Sequence, residues 1–202
     1  AQATNRFNEA ISVALEVRQE LGFKSIPTNV SKLTLLREFG KTNKAVGGRT
    51  AEELAALPAL TDERVAMGQR MLELLCTSTY QGNPHMFPLV SFRSVRDTIK
   101  FGINRSSCEG FVTFGILLSG SFGDPKRGRE MGRAAELIVE KPFPGMKSSK
   151  SRVAFRVHAM NYHNTSPLQA TLRPMLEGYQ VGEYLYLYEG SLEFRAVWYV
   201  NV

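Results

Sequence analysis

Helical patterns recur along this chain at nearly constant spacing, with starts near Thr61, Asn104, Ser148 and Gly190. In each of the three complete units a second helical pattern follows, near Pro84, Pro125 and Ser166. A period of about 40–44 residues built from two helices constrains the fold more than any other feature of the chain. A lone pair cannot bury its apolar face, so each pair must stack on the next. The expected fold is therefore all-α, an α-α superhelix of stacked helix pairs. Residues 1–58 read as N-terminal helices and residues 61–202 as repeated pairs, together one helical-repeat domain over residues 1–202.

The punctuation between helices supports that division. Residues 5–21 form a first helix, with Phe7, Ala10, Ile11, Ala14, Leu15 and Val17 at three-to-four spacing and Gly22 as its stop. Ser31 is placed to cap a second helix carrying Leu33, Leu35, Leu36 and Phe39, ended by Gly47-Gly48. Thr50 and Glu53 have the spacing of a capping box for a short helix over residues 51–57. Thr61 or Asp62 opens a long helix through Tyr80. Asn83-Pro84 and Phe87-Pro88 mark the next start, and Gly102 its end. Residues 106–122 and 125–139 make a pair around a Gly123-Asp124 turn, and Pro142 and Pro144 break the chain again. A last pair is expected over residues 149–162 and 167–181. Gly110, Gly115, Gly128 and Gly132 fall inside helices, where glycine costs about 1 kcal/mol against alanine. Close approach between the two helices of a pair is the use that explains them. Tyr184-Leu-Tyr-Leu-Tyr188 alternates over too short a stretch for a sheet and reads as a helix end with its loop.

Composition excludes some classes. Hydrophobic residues make up 43% and charged residues 22%, which is not the balance of a disordered chain. The longest apolar stretch, residues 111–122, is shorter than a membrane span and is interrupted by Thr113, Gly115, Ser119 and Gly120. The N-terminus lacks the apolar segment of a signal peptide. Cys76 and Cys108 both fall in apolar helical patterns, as buried thiols of a reduced, cytoplasmic protein do. The absence of an initiator Met, and the final Trp198-Tyr-Val-Asn-Val202 inside an apolar pattern, give the expectation of a fragment of a longer chain.

Gly40-Lys41-Thr42 has Leu35 where a P-loop needs its first glycine and follows a helical segment, so an ordinary helix end is expected there. His85, His158 and His163 lack the spacing and the acidic or cysteine companions of a metal site. Gly120-Ser121-Phe122-Gly123 lacks the spacing of a nucleophile elbow. Glu52/Glu53 and Asp62/Glu63 stand at helix N-termini, where they complement the helix dipole. No catalytic residue, cofactor site or metal site emerges, and the segment reads as non-enzymatic.

With the helices placed, the linking phrases resemble a known family. They are Asn29-Val-Ser-Lys-Leu33, Leu57-Pro-Ala-Leu-Thr-Asp62, Asn83-Pro-His-Met-Phe-Pro-Leu-Val90, Lys100-Phe-Gly102 and Phe114-Gly-Ile-Leu-Leu-Ser-Gly-Ser-Phe-Gly-Asp124. Residues 128–141, His163-Asn-Thr-Ser-Pro-Leu168, Thr171-Leu-Arg-Pro174 and Gly178-Tyr179 complete the series. In this order they are similar to the tetratricopeptide-like helical region of large hybrid signalling proteins. Those proteins join a serine/threonine-kinase-like domain, a STAND-type AAA ATPase, the helical region, a GAF sensor and a histidine kinase. The chain departs from the family pattern at residues 183–189, where a short turn is usual, and at Asn164, where an aromatic is common. The resemblance implies a tetratricopeptide-like helical scaffold without catalytic motifs of its own. Its implied partners are neighbouring ATPase or kinase domains of the same chain, or another protein.

The expected function is regulatory protein–protein or interdomain contact. Tyr80, Tyr162 and Tyr179, with Arg133 and Arg156, are the candidate contact residues, because tyrosine and arginine dominate interface hot spots. Partly buried packing between repeats is the competing reading of the tyrosines. The net charge of +6, with Lys126, Arg127, Arg129 and Arg133 in one cluster and Lys147, Lys150, Arg152 and Arg156 in another, leaves a basic nucleic-acid-binding repeat as the alternative. Few aromatics interleave these charges, which disfavours single-strand stacking.

Overall fold

A computed structural model describes residues 6–144 and 146. The expected pair over residues 149–162 and 167–181, the second basic cluster, and the candidates Arg156, Tyr162 and Tyr179 lie outside the described residues. Within them the chain forms seven α-helices: α1 (Phe7–Glu20), α2 (Lys32–Val46), α3 (Ala51–Ala55), α4 (Glu63–Gly82), α5 (Phe87–Phe101), α6 (Ser107–Gly120) and α7 (Pro125–Val139). The described part is all-helical, as the periodicity requires.

Local chemistry explains most of the helix starts. Ser31 Oγ accepts from the Thr34 amide at 3.2 Å, and Asp62 Oδ1 from the Val65 amide at 3.1 Å. The Thr50/Glu53 capping box forms in both directions, at 3.2 and 2.8 Å. Asp124 Oδ1 accepts from the Arg127 amide at 3.1 Å, and Pro125 stands at the first helical position, where no amide hydrogen is needed. Some boundaries differ from expectation: α3 ends at Ala55 rather than Leu57, α6 ends at Gly120 rather than Phe122, α4 runs on to Gly82, and α5 starts at Phe87. α2 ends at Val46, where Gly47 stops it as expected, and runs straight through Gly40. Gly40 is therefore a mid-helix residue, not a helix end.

The helices pack side by side. α1 lies against α4 and α2 against α5. α5 packs on both α4 and α6, and α6 on α7. One contact departs from stacking between successive pairs: α3 lies on α7. There Glu130 Oε2 accepts from the Ala51 amide at 3.2 Å, adding a carboxylate to the N-terminal end of α3.

The segments that lead into α4 and α6 also meet. Leu60 donates its amide to the Ile103 carbonyl and Ile103 donates to the Pro58 carbonyl, both at 2.8 Å, forming an isolated parallel bridge at Ala59 and Ile103. These segments stand at equivalent places, just before α4 and α6. Gly102 makes the bridge possible: it takes φ +111°, and a Cβ there would lie 2.6 Å from the Pro58 carbonyl oxygen.

Two apolar clusters fill the interior. Ile11, Ala14, Leu72, Leu75, Cys76, Met86, Leu89 and Val90 join α1, α4 and α5. The larger cluster joins α3, α5, α6 and α7 around Phe92, Phe111, Phe114, Leu118, Met131 and Ile138, each at most 1% exposed. Cys76 and Cys108 are buried in different clusters, and no disulfide joins them. Gly110 and Gly128 serve close approach, though not both within a pair. A Cβ at Gly128 would lie 2.8 Å from the Gly115 carbonyl oxygen and meet Ser119 Oγ, so α7 closes onto α6 of its own pair. Gly110 instead admits Ser94 of α5, from the preceding pair.

Candidate contact surface

Two of the five candidate contact residues are described. Tyr80, near the end of α4, is 61% exposed, with its ring edge-on to Phe87 at 5.4 Å. It is thus a surface residue rather than packing between repeats. Arg133, on α7, has 57% of its side chain exposed and lies 3.8 Å from Glu136. No hydrogen bond, ring contact or ion pair joins Tyr80 to Arg133. The basic cluster of α7 is partly compensated: Arg127 donates to Asn43 Oδ1 at 3.0 Å and lies 3.8 Å from Asp124. Lys126 and Arg129 are exposed on the same helix.

α2 presents an outer face that its sequence pattern assigns to the interior. Leu33 is 77% and Leu36 62% exposed, while Glu38, Thr42 and Val46 point inward with the half-buried Leu35 and Phe39. The reason is Arg96 of α5. Its guanidinium donates to the Glu38 carbonyl and to Thr42 Oγ1, both at 2.9 Å, and to Glu38 Oε2 at 2.5 Å. Lys41 donates to Glu38 Oε1 at 2.8 Å. These charge-assisted bonds turn α2 so that its carboxylate, rather than Leu33 and Leu36, faces the neighbour.

A second buried pair fixes α1. Arg18 is 2% exposed; its guanidinium donates to Asp97 Oδ2 at 3.2 Å and to the Gly68 carbonyl, and lies 4.5 Å over the Phe23 ring. One arginine thereby joins α1, α4 and α5. Burial pushes the Asp97 carboxyl up, against the opposing pull of Arg18 and then Arg93. Burial likewise lowers the guanidinium values of Arg18 and Arg96, which Asp97 and Glu38 respectively oppose. Glu38 goes the other way. Burial raises it, but the Lys41 hydrogen bond and the Arg96 charge and hydrogen bond outweigh that and hold it low.

A third joint centres on Glu73 of α4. It is 3% exposed and accepts from Ser106 Oγ at 2.7 Å, with Arg70 at 2.5 Å and Arg105 at 3.6 Å. It thereby holds the lead-in of α6 onto α4. None of Arg18, Glu38, Glu73, Arg96 or Asp97 was singled out in the sequence. The available signal was Arg93-Ser-Val-Arg96-Asp97, charges at one-turn spacing in a helix that is apolar on its other sides.

Among the described residues, His85 is exposed and no group of three or more His, Cys, Asp or Glu side chains could hold a metal ion. No described helix is long and apolar enough to cross a membrane. Compared with protein-family models, with curated proteins and with solved structures, the chain has no match. The resemblance to the helical region of hybrid signalling proteins rests on the linking phrases of the sequence.

Proposed function

We propose that residues 1–202 form a non-catalytic, tetratricopeptide-like helical scaffold within a multidomain ATPase or kinase signalling protein. Its role is to hold neighbouring domains, or a partner protein, in a defined arrangement and to pass on the state of the ATPase. The observation that carries this reading is the bridge between residues 58–60 and 103, because equivalent lead-ins of successive pairs lie side by side. Stacked repeats produce that arrangement. The buried ion pairs agree with it: Arg18–Asp97 and Arg96–Glu38 each cross a helix–helix joint and so fix relative helix position. Exposed Tyr80 supplies a rigid aromatic of the kind that anchors protein interfaces.

The test is capture of the parent protein's ATPase module by immobilised residues 1–202, with ADP and with ATP. Nucleotide-dependent capture that weakens in Tyr80→Ala supports a regulatory interdomain contact. Capture unchanged by Arg133→Ala with Arg156→Ala removes the basic face from the contact. Absence of capture in both nucleotide states defeats the intramolecular reading.

A further inference from the structure

Three guanidinium groups crowd the face of α5 that looks toward α1 and α2: Arg18, Arg93 and Arg96. Two carboxylates answer them. Asp97 takes Arg18 and Glu38 takes Arg96, at 3.2 and 2.5 Å. Arg93 is left over. It is partly buried, its charge bears on Arg18, Arg96 and Asp97 alike, and it has no ion pair among the described residues. Its Nε is buried and meets no hydrogen-bond acceptor of the described protein, and the same is true of Arg18 Nε. Lys41 and Arg37 add positive charge at Glu38, so acidic groups nearby do not correct the imbalance.

Such an arrangement is costly as it stands. A buried donor without an acceptor is destabilising, and an extra partly desolvated cation repels its neighbours. Both penalties disappear if an anion with oxygen acceptors sits against Arg93. Guanidinium presents donors in a planar fork that fits carboxylate and phosphate oxygens. Arg93 stands on α5 one turn before Arg96 and Asp97 and is still partly open to solvent, so a small ion can reach it.

We propose that Arg93, flanked by Arg18 and Arg96, forms a binding site for a small oxyanion, a phosphate or a carboxylate, on the face of α5 between α1 and α2. Binding there would lock α1 and α2 onto α5, because the anion neutralises the repulsion between the groups that hold them.

The experiment titrates the full 202-residue chain with sodium phosphate, and separately with sodium acetate, at ionic strength held constant with sodium chloride. Thermal unfolding and the arginine Nε–Hε NMR signals are followed. The expected result is a saturable rise in Tm with one of the two anions and a saturable shift of the Arg93 Nε–Hε signal. The anion that acts at lower concentration identifies the ligand class. Arg93→Gln should weaken the apparent affinity by about tenfold or more, the scale of one lost charge-assisted contact. Arg93→Lys keeps the charge but loses the fork, and should weaken it by a smaller factor. Arg129→Ala, on exposed α7, should leave affinity unchanged. The proposal is overturned if both anions act no differently from chloride, if the response does not saturate, or if Arg93→Gln binds as tightly as the parent. If Arg93→Gln does not fold, the NMR shift in the parent chain decides alone.

Discussion

The two sides of α5 differ in what they add to apolar packing. Toward α1 and α2 it presents Arg93, Arg96 and Asp97, and ion pairs with Arg18 and Glu38 are added to apolar contacts of Ile11, Ala14 and Phe39. Toward α6 and α7 it presents Phe92 and Val95, in a cluster of fully buried phenylalanines, with Phe92 and Phe114 ring to ring at 5.9 Å. The α6–α7 joint goes further, since Gly128 brings one backbone against the other. Apolar packing is non-directional and tolerates small rotations of a helix, whereas a buried guanidinium–carboxylate pair fixes one rotation and register. The N-terminal pair is therefore the side whose orientation depends on a few named contacts.

The largest effect should come from breaking one ion pair. Arg18→Ala leaves Asp97 buried without its partner and removes the link to the Gly68 carbonyl, and should cost about 3–5 kcal/mol in urea unfolding. Replacing both partners, Arg18→Met with Asp97→Leu, should recover most of that loss. If the double variant is as unstable as the single one, charge pairing is not what holds α1.

On the apolar side the matching test adds atoms. Gly128→Ala should cost about 1–3 kcal/mol, because the new Cβ meets the Gly115 carbonyl oxygen as well as Ser119. Gly110→Ala should cost a similar amount and be partly rescued by Ser94→Ala, which removes the hydroxyl in its way. Full tolerance of both alanines would show that α6 and its neighbours can move apart at no cost.

Titration separates the two carboxylates of the charged side. Glu38 is held low, so its stabilisation is complete above the ordinary glutamate value and is lost as pH falls below about 4.3. Asp97 is raised, so it lowers stability as pH rises from about 3.9 through its folded-state value. Stability measured against pH should therefore lose its acid-side fall in Glu38→Gln. In Asp97→Asn it should lose the opposing slope. Identical profiles for both variants would mean that the two pairs do not differ in this way.

Thr50→Ala should cost about 1 kcal/mol by removing the cap of α3. Smallest of all, Arg133→Ala should change stability by less than about 0.5 kcal/mol, since its pair with Glu136 is largely exposed. A larger loss would place Arg133 in a joint rather than on a surface.

The helices and their caps were legible because they are local. Ser31, Thr50 and Asp62 each act within three residues, and the patterns near Thr61, Pro84, Asn104 and Pro125 all became helices. The inner faces of α1 and α2 were less legible. Apolar spacing put Val17 and Leu36 inside, whereas Arg18 and Glu38 took the buried positions. No local rule places an arginine in a core when its carboxylate lies 79 residues away. Tyr80 was chosen from residue type; it is exposed, and no partner contact was readable from either source.

By itself, then, the sequence determined that the described chain is helical and where most helices begin, because hydrophobic period and capping chemistry operate over one or two turns. Tertiary structure decided which side of α1 and α2 faces α5, that Gly102 lets successive lead-ins pair, and that α3 reaches α7. Those outcomes depend on charges and backbones brought together from distant parts of the chain, where burial makes each unpaired group expensive and so selects one arrangement.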